Sequence, residues 1–365
     1  MTNRRIERLA AALDAHRIDG LAVVPGANLF YFAGLGFTTK LRLTLALFPR
    51  HGAPALVLPR MELGRAERAS APFALFPWDD GEGPAAALDA AMAAAGLRGR
   101  QIGIEDNAMR IFELRALELA GGHTQDATAL VAELRSSKDA AELGAMRRAI
   151  VVVEDALRAT IAQTRAGMTE RQVASLWEGY IRAAGSEPAF DTAVAAGPNG
   201  ASPHHEKSDR PLQTGDLVVM DGGAYVDGYA SDITRTIAVG PIDDELRRIY
   251  ELTLAANGAG RAAAQRRGAS GAQIDAAARA VIAAGGYGPQ FLHRTGHGLG
   301  IEIHEPPFIV AGSDDPLAVG SVFTIEPGIY LAGRGGVRIE DDMMLTADGA
   351  ETLTSFPREL ITIDD

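Results

Sequence analysis

The C-terminal part of this chain contains an approximate internal repeat, which limits the available folds more than any other feature. Residues 167–172 and 268–273 share a glycine, then a hydroxyl residue (Thr169 or Ser270), then a glutamine three positions further on. This spacing is a capping box, in which a hydroxyl side chain begins a helix, and an alanine-rich amphipathic pattern follows in both places. A repeat at an offset of about 100 residues predicts a duplicated α/β unit.

Two further pairs of landmarks keep nearly the same offset. Glu142 and Glu245 each lie at the start of a helical pattern, whereas Asp221 and Glu326 each end a short apolar strand. Ligand sites in proteins form preferentially where two structural units meet. We therefore expect the acids of the two repeats to lie together at the junction between them.

The composition excludes several functional classes. The chain has 365 residues, a net charge of -12, 47% hydrophobic and 22% charged residues, and no cysteine. An acidic surface repels nucleic acid and anionic membranes, so we expect neither as a partner. The lack of cysteine excludes disulfides, thiolate metal sites and thiol catalysis, and it is typical of a reducing cytosol.

The N-terminal segment predicts an amphipathic helix and not an export signal. Ile6, Leu9 and Leu13 recur at helical spacing among charged residues, whereas an export signal needs a continuous apolar stretch. No run approaches the roughly 18–20 apolar residues that a membrane-spanning helix needs. We therefore expect a soluble, cytoplasmic protein.

Short apolar strands alternate with helical patterns in the N-terminal part of the chain. The strand candidates are residues 20–25, 43–48 and 55–58, and breakers such as Pro25-Gly26 separate them. This alternation predicts a small α/β domain.

The N-terminal part carries no convincing catalytic constellation. Gly34 and Gly36 favour a tight turn over a dinucleotide-binding motif, because the rest of that motif is missing. The pattern then changes to a long helix over residues 140 to about 161. We therefore expect a small α/β domain over residues 1–128 and a duplicated catalytic domain over residues 129–365.

Two of the acids fall on a predicted hairpin of apolar strands. Asp221 and Asp232 flank the turn signal Asp227-Gly228, and the midpoint of the two acids falls between Val226 and Asp227. Simple antiparallel pairing therefore places the two aspartates nearly opposite each other, with Cβ atoms about 5 Å apart.

A second predicted hairpin repeats this pattern. Glu326 and Glu340 are equidistant from Gly333, which lies in a glycine-rich turn. The two glutamates are therefore expected to pair in the same way as Asp221 and Asp232. A bulge in either hairpin would shift its register by one residue.

Two like-charged pairs on apolar strands need a physical explanation, because such charges destabilise a partly buried site and drive protonation. The acids could point to solvent at strand ends, share a proton as a metal-free dyad, or act as oxygen ligands for divalent cations. A cation removes the repulsion because it carries a larger opposite charge. We favour metal ligands, since chance exposure would have to occur at four matched positions.

A segment rich in histidine and glycine supports this interpretation. His293, His297 and His304 fall within twelve residues, and the segment shows no amphipathic helix that would bury their imidazoles. Four carboxylates with one imidazole predict two divalent ions roughly 3.5 Å apart, with a bridging water as the nucleophile. A ligand set without sulfur suits manganese, which we expect, and also cobalt or zinc.

These motifs resemble the signature of the pita-bread metallopeptidases. The resemblance rests on the spacing of Asp221 and Asp232, on Gly296-His297-Gly298, on Thr324-Ile325-Glu326-Pro327-Gly328 and on Arg338-Ile339-Glu340-Asp341-Asp342. Residues 228–236 and the histidine segment are similar to the aminopeptidase P and prolidase branch, and residues 1–125 resemble its creatinase-type N-terminal domain. The resemblance implies a pseudo-two-fold, duplicated pita-bread catalytic domain behind a small α/β domain.

The resemblance also implies a role for each motif residue. The five metal ligands would be Asp221, Asp232, His297, Glu326 and Glu340, with Asp232 and Glu340 bridging the two ions. His204 and His304 would assist catalysis, and Glu326 would handle the proton of the bridging water. His204, His293 and Arg338 would contact the substrate, with Arg338 either orienting the neighbouring acids or binding a carboxylate.

The implied activity is hydrolysis of the Xaa-Pro peptide bond by a homodimeric metallo-exopeptidase. The substrate would be a dipeptide or the N-terminus of a longer peptide, with proline in the second position. Two alternatives stay open: a hydrolase or lyase of a non-peptide small molecule (creatinase-like or ectoine-hydrolase-like) and a non-enzymatic interaction protein. Creatinases and non-enzymatic relatives have lost metal ligands, whereas all five motif positions are filled here.

One stretch departs from the family pattern. Residues 204–207 read His-His-Glu-Lys, where a His-Gly-x-Pro sequence is expected. His205 and Lys207 are either solvated loop residues or residues that line the substrate entrance and alter specificity. The second reading would affect the preference for peptide length.

Overall fold

A computed structural model of the protein describes residues 2–38 and 41–364. The chain divides into two compact units, Met1–Arg135 and Ser136–Asp365. The boundary expected near residue 128 lies at the start of the helix Thr128–Ser136, whose end coincides with the division. The predicted α/β class, with a small unit followed by a larger one, is confirmed.

The N-terminal unit is an α/β domain. Its strands are β1 (Gly20–Val23), β2 (Leu45–Pro49), β3 (Ala55–Pro59), β4 (Ala74–Trp78), β5 (Gln101–Ile104) and β6 (His123–Asp126). Its helices are α1 (Thr2–Ala15), α2 (Ala27–Ala33), α3 (Leu63–Ala66), α4 (Ala85–Ala94), α5 (Ile111–Leu119) and α6 (Thr128–Ser136).

These six strands form one mixed sheet in the order β4-β3-β2-β1-β5-β6. The three strands predicted in this part of the chain are confirmed as β1, β2 and β3, which are almost entirely buried because their residues are apolar on both faces. Gly34 ends α2 with a φ of 67°. This left-handed conformation favours glycine, so Gly34 caps α2, and residues 34–36 form an irregular segment instead of the predicted tight turn.

Two pairs of helices occupy corresponding places in the second unit. They are α7 (Ala140–Gln163), α8 (Glu170–Ala183), α9 (Asp244–Ala264) and α10 (Gly271–Ala284). The predicted capping boxes are confirmed at Thr169, which begins α8, and at Ser270, which begins α10. The long helix predicted from residue 140 is α7, capped by Asp139.

Strands follow each helix pair. After α8 come β7 (Glu187–Pro188), β8 (Ala193–Ala196), β9 (Leu217–Gly222), β10 (Ala224–Val226), β11 (Tyr229–Ala230) and β12 (Ile233–Val239). After α10 come β13 (Gly296–Gly298), β14 (Glu305–Ile309), β15 (Val322–Ile325), β16 (Gly328–Leu331), β17 (Gly335–Arg338), β18 (Asp341–Thr346), β19 (Gly349–Thr352) and β20 (Thr362–Ile363). The repeated order of helix pair and strands is the duplication that the sequence predicted.

The strands of the second unit form sheets that the helices cover. One sheet has the order β20-β12-β9-β8, and a second has the order β14-β13-β15-β18-β19. Trp177 of α8 is completely buried in the core formed with β9 and β12. No helix in the described part of the chain is both long enough and apolar enough to cross a bilayer.

Candidate metal centre

A tight turn brings the first two acids together. The turn is Asp227-Gly228, as predicted, and Val226 pairs with Tyr229 across it. Both turn residues have positive φ, 51° for Asp227 and 80° for Gly228. This is the conformation of a two-residue hairpin loop whose twist matches that of the flanking strands.

The register of this hairpin differs from the prediction. Thr234, and not Asp232, lies opposite Asp221. Asp232 precedes β12 and in the same register faces Gly223, two residues beyond Asp221. The two aspartates therefore share one face of the hairpin as diagonal neighbours. Direct opposition was wrong because the turn is centred one residue later than the midpoint of the two acids.

The second pair of acids follows the predicted register. The pairing of β15 with β18 and that of β16 with β17 are both symmetric about Gly333. Glu326 and Glu340 lie between these two ladders and face each other. Glu326 N–H donates to the Thr295 carbonyl at 2.7 Å, and Glu340 N–H donates to the Thr234 carbonyl at 3.1 Å. These bonds tie the pair to the histidine segment and to the first hairpin.

His297 completes the cluster from strand β13. Its Nδ1 lies 3.1 Å from the Gly298 carbonyl oxygen, an arrangement that places the proton on Nδ1 and leaves Nε2 as an electron-pair donor. Nε2 lies 3.4 Å from Glu326 Oε1 and 3.8 Å from Asp232 Oδ2. Asp232, His297 and Glu340 each bring one potential ligand atom within 4.8 Å of the others. The two repeats therefore meet at one point.

Three carboxylates in this cluster each have a buried oxygen without a partner. Thr234 Oγ1 donates to Glu340 Oε2 at 2.7 Å, and Arg338 Nη2 donates to Asp221 Oδ2 at 2.9 Å. Asp221 Oδ1, Asp232 Oδ1 and Glu340 Oε1 receive no hydrogen bond from any described residue. Such an acceptor costs about 1–3 kcal/mol, and more when charged. Divalent cations that prefer oxygen ligands would satisfy all three atoms, so the donor set fits a metal centre.

The electrostatics of the cluster also favour the binding of a cation. Burial, and next the charge of Glu340, raises the pKa of Asp232 well above its ordinary value. Burial, and next the charge of Glu326, does the same to the pKa of Glu340. Burial raises the pKa of Glu326 to about 7 and lowers that of His297 to about 3. Without a cation these acids oppose their own ionisation, whereas the imidazole is held neutral and able to coordinate.

The cluster lies in a cavity of about 670 Å³, within the range of about 300–1,000 Å³ that is usual for small-ligand sites. All the residues singled out in the sequence line this cavity, namely His204, Asp221, Asp232, His293, His297, His304, Glu326, Arg338 and Glu340. The fold therefore brings the whole predicted set together.

Two further histidines surround the cluster in different ways. His293 Nε2 lies 2.8 Å from the Tyr330 hydroxyl, and its Nδ1 lies 2.7 Å from the Arg294 carbonyl. Burial lowers the pKa of His293 to about 4. His304 is partly exposed at the cavity, with its ring centroid 4.3 Å from that of His297, and its pKa is also lowered, chiefly because the imidazole loses part of its solvation. Both imidazoles are therefore neutral near pH 7.

Arg338 is fully engaged within the protein. Besides Asp221, its guanidinium donates to Thr234 Oγ1 at 3.0 Å, to the Tyr330 hydroxyl at 3.0 Å and to the Pro203 carbonyl at 3.4 Å. Its side chain is only 6% exposed. Of the two roles expected for it, orienting the neighbouring acids fits this geometry better than binding a substrate carboxylate.

Sequence reasoning missed several polar residues of the cavity, among them Arg294 and Thr192. Arg294 packs over the Phe308 ring at 4.6 Å, and no described residue pairs with its guanidinium. Thr192 is buried, and its hydroxyl has no hydrogen-bond partner in the described chain. Arg294 could have been predicted as a cavity residue because it follows His293 directly in the chain. No local sequence pattern distinguishes Thr192 from other threonines.

His205 and Lys207 are not solvated loop residues. Both line the cavity, and their side chains are 19% and 16% exposed. His205 Nε2 lies 2.9 Å from Glu170 Oε2. Lys207 Nζ donates to Glu178 at 2.7 Å and to Asp191 at 2.5 Å. The second of the two expected readings, residues at the cavity entrance, is the one that the structure supports.

Comparison with known proteins assigns this site to a family. Residues 144–347 match metallopeptidase family M24, and residues 5–137 match the creatinase/prolidase N-terminal domain. The chain belongs to metallopeptidase family M24. The predicted family and enzyme class are thereby confirmed. A metallopeptidase of family M24 implies divalent metal ions, and a carboxylate–histidine group that could hold one is present.

Relatives within the family match almost the whole chain. A probable dipeptidase PepE of Mycobacterium tuberculosis is 39% identical over 99% of this chain and 96% of the relative. A Xaa-Pro dipeptidase of Pyrococcus horikoshii is 33% identical over 98% of this chain and 99% of the relative. The crystal structure of a recombinant prolidase from Thermococcus sibiricus has a TM-score of 0.92 at 36% identity, covering 100% of this chain and 99% of that one. The likeness to this prolidase structure therefore extends over both units.

Proposed function

We propose that this protein is a dimetal Xaa-Pro exopeptidase that acts by preference on dipeptides. The observation that carries the proposal is the set of buried, unpartnered carboxylate oxygens around His297 in the cavity of a family M24 chain. Relatives named Xaa-Pro dipeptidase support the bond and the substrate length.

Two divalent ions would be held by the five predicted ligands, which are Asp221, Asp232, His297, Glu326 and Glu340. When bound, the ions supply Lewis-acid polarisation of the substrate and activation of a water near neutral pH. Manganese is the proposed metal because the ligands are oxygen atoms and one imidazole nitrogen, with no sulfur.

The side chains of the site would transfer the proton of the attacking water and stabilise the negative charge that develops on the carbonyl oxygen. Water attacks the carbonyl carbon of the Xaa-Pro bond, and the Glu326 carboxylate accepts its proton. The same carboxyl then returns that proton to the departing proline nitrogen. The C–N bond then breaks and releases proline as a secondary amine. His204 and His304 at the exposed side of the cavity donate hydrogen bonds to the carbonyl oxygen as it gains charge.

Arg294 supports the preference for dipeptides. Its guanidinium lies in the cavity without an acidic partner among the described residues, whereas Arg338 is fully engaged. In an Xaa-Pro dipeptide the free carboxylate belongs to the residue next to the scissile bond. A cation at the cavity wall would pair with that carboxylate, and a longer peptide lacks it at this position.

The test compares an Xaa-Pro dipeptide, an Xaa-Pro tripeptide and an Xaa-Ala dipeptide with the manganese-loaded enzyme. We expect kcat/KM to be highest for the dipeptide, lower for the tripeptide and lowest for the alanine control. Higher activity on the tripeptide would contradict the preference for dipeptides and indicate an Xaa-Pro aminopeptidase. Cleavage of neither proline peptide would overturn it and favour a non-peptide small molecule as substrate.

The proposal includes a cytoplasmic homodimer. The family resemblance suggests the dimer, and the cysteine-free sequence suits a reducing compartment. Sedimentation analysis tests the dimer, since a monomer at micromolar concentration would contradict it. Cell fractionation tests the location.

A further inference from the structure

Glu170, at the start of α8, is a buried acid that the proposed reaction does not use. Its side chain is completely buried. Oε1 accepts hydrogen bonds from the Ala196 N–H at 2.7 Å and the Asn199 amide at 3.0 Å. Oε2 accepts from the Ser208 N–H at 2.9 Å and the Ser208 hydroxyl at 2.6 Å. His205 Nε2 is a further partner at 2.9 Å.

All these partners lie on one loop, residues 196–208, which we call the first loop. This loop carries His204 to the cavity, and its Pro203 carbonyl accepts a hydrogen bond from Arg338. Burial acts to raise the pKa of Glu170, but the hydrogen bonds, led by that from Ala196, hold the pKa below its ordinary value. A buried carboxylate needs such donors, so the charge of Glu170 and the shape of the first loop stabilise each other.

A second buried acid, Asp275 on α10 of the second repeat, makes contacts of a similar kind from a different position on its helix. The Asp275 side chain is only 3% exposed. Its Oδ1 accepts from the Thr295 N–H at 3.2 Å and the Thr295 hydroxyl at 2.7 Å. Arg279, paired with Asp275 at 2.9 Å, donates to the carbonyls of Phe291 at 3.2 Å and His293 at 2.9 Å. These contacts hold the chain on the N-terminal side of the histidine strand.

The second loop, residues 291–297, leads into the predicted metal ligand His297. Each repeat thus uses a buried acid on its amphipathic helix to hold a loop that carries an active-site histidine. We propose that Glu170 and Asp275 are positioning residues for the peptidase reaction proposed above, on which this inference rests. Glu170 sets the placement of His204, and Asp275 sets the placement of His297.

Substitutions at Glu170 and at Asp275 should affect different properties of the enzyme. This difference distinguishes a positioning role from general support of the fold. His297 is a predicted metal ligand, whereas His204 is not. Loss of the Asp275 contacts should therefore weaken metal binding, because groups that orient a metal-bound histidine typically affect affinity by about 10–100-fold. Loss of the Glu170 contacts should leave metal affinity unchanged and slow turnover. A merely structural role would give both variants the same profile.

The Glu170 arm uses Glu170→Gln, which keeps the shape of the side chain and removes its charge. We expect kcat/KM for the Xaa-Pro dipeptide to fall about 10–100-fold, with manganese affinity by calorimetry within about threefold of the wild type. Hydrogen exchange should accelerate over residues 196–208 and not over residues 291–297. Weakened manganese binding, or unchanged exchange in the first loop, would overturn this arm.

A double-mutant cycle with His204→Ala tests whether Glu170 acts through that histidine. If it does, Glu170→Gln should cause almost no further loss of kcat/KM in a His204→Ala background. Fully additive losses would contradict the proposal. Should Glu170→Gln fold poorly, Ser208→Ala removes one donor from the same carboxylate and is carried through the same cycle.

The Asp275 arm uses Asp275→Asn, with Thr295→Val as a milder variant that removes only the hydroxyl donor. We expect manganese affinity to fall about 10–100-fold for Asp275→Asn and by a smaller factor for Thr295→Val. Exchange should accelerate over residues 291–297 and not over residues 196–208. Wild-type manganese affinity in both variants would overturn this arm.

Glu113→Gln is the matched control, because Glu113 is a buried acid of the N-terminal unit paired with Arg110. It reports what neutralising a buried acid costs in thermal stability in the unit that contains neither histidine loop, and we expect it to leave manganese affinity and kcat/KM unchanged. If the wild type cleaves neither proline peptide, the proposed function fails by itself. The affinity and exchange measurements still decide whether the two acids hold the loops.

Discussion

At the scale of single residues, the site depends on which oxygen atom of each carboxylate is hydrogen-bonded to the protein and which is not. Thr234 and Arg338 each bind one oxygen of a carboxylate, and the second oxygen of the same group is buried with no partner among the residues that the structure describes. The bound oxygen fixes the orientation of the carboxylate, and the other is left for a cation. Partners that orient a ligand in this way are a general part of metal sites.

Glu326→Gln tests the proton transfer assigned to this residue. The amide keeps the size of the side chain but cannot accept a proton at neutral pH, so we expect kcat to fall at least 10²-fold, the usual contribution of a positioned acid–base group. Steady-state kinetics on the dipeptide measure the loss, and circular dichroism checks that the fold is intact. Near-normal turnover would show that Glu326 does not carry the proton.

Arg294→Met tests the recognition of the free carboxylate. Methionine can keep the packing over Phe308 and removes the charge. A charge-assisted hydrogen bond contributes about 1.5–3 kcal/mol, so we expect kcat/KM for the Xaa-Pro dipeptide to fall by roughly 10–100-fold. The matched substrate is the C-terminal amide of the same dipeptide, whose kcat/KM should change little. Equal losses on both substrates would refute the assignment.

At the scale of secondary structure elements, two tight turns and two capped helices place the site. The Asp227-Gly228 turn directs Asp221 and Asp232 to one face, and the glycine-rich turn around Gly333 places Glu326 opposite Glu340. In both hairpins the acids follow apolar strands whose burial holds the register, because a one-residue slip would move every side chain to the other face.

Gly228→Ala tests the importance of the first turn. Gly228 has a φ of 80°, and a left-handed conformation costs a residue with a Cβ atom roughly 1–2 kcal/mol. We expect the free energy of unfolding, measured with urea, to fall by about that amount.

The matched control for this substitution is Gly258→Ala. Gly258 lies inside α9, with open space where the Cβ would be placed. Because alanine is favoured in a helix interior, we expect this variant to be more stable by about 0.5–1 kcal/mol. If both variants were destabilised by the same amount, the turn conformation of Gly228 would not be the cause.

At the scale of the whole molecule, the duplication of the second unit makes a shared centre possible. Asp221 and Asp232 come from the first repeat, and His297, Glu326 and Glu340 come from the second. Burial, and next the charge of a neighbouring acid, raises the pKa of Asp232 and of Glu340. A bound cation would therefore hold the two halves of the second unit together as well as serve catalysis.

Metal removal should destabilise the second unit. We expect dialysis against a chelator to lower the melting temperature and abolish peptidase activity, and manganese to restore both. At a manganese concentration 100 times the dissociation constant, the stabilisation is about 2.7 kcal/mol. Differential scanning fluorimetry measures the shift. An unchanged melting temperature together with full activity in metal-free protein would contradict a metal mechanism.

Asp232→Asn is the control for this experiment. It removes one of the repelling charges and one predicted ligand while keeping the side-chain shape. The metal-free variant should be at least as stable as the metal-free wild type, and manganese should no longer raise its melting temperature.

Much of this site was predictable from local patterns in the chain. The acids stand out because a carboxylate at the end of an apolar strand needs a partner, and the hairpins are visible because Asp227-Gly228 and the turn around Gly333 have strong turn chemistry. The capping boxes at Thr169 and Ser270 predicted where two helices begin, since a cap depends on residues only three positions apart.

What local patterns could not supply are contacts between residues far apart in the chain. The one-residue shift that makes Asp221 and Asp232 diagonal neighbours depends on how the turn is centred, which the spacing of the acids does not reveal. Glu170 contacts the first loop, and Arg294 lines the cavity, only when the helices are packed on the sheets.

The residues that line the centre could therefore be predicted from the sequence, because residue types and short spacings decide which side chains and turns are available. The tertiary structure decided which carboxylate oxygens and which guanidinium have no partner among the described residues, and which buried acids contact the two histidine loops. These depend on burial and on distances between distant segments, and both exist only once the chain has folded.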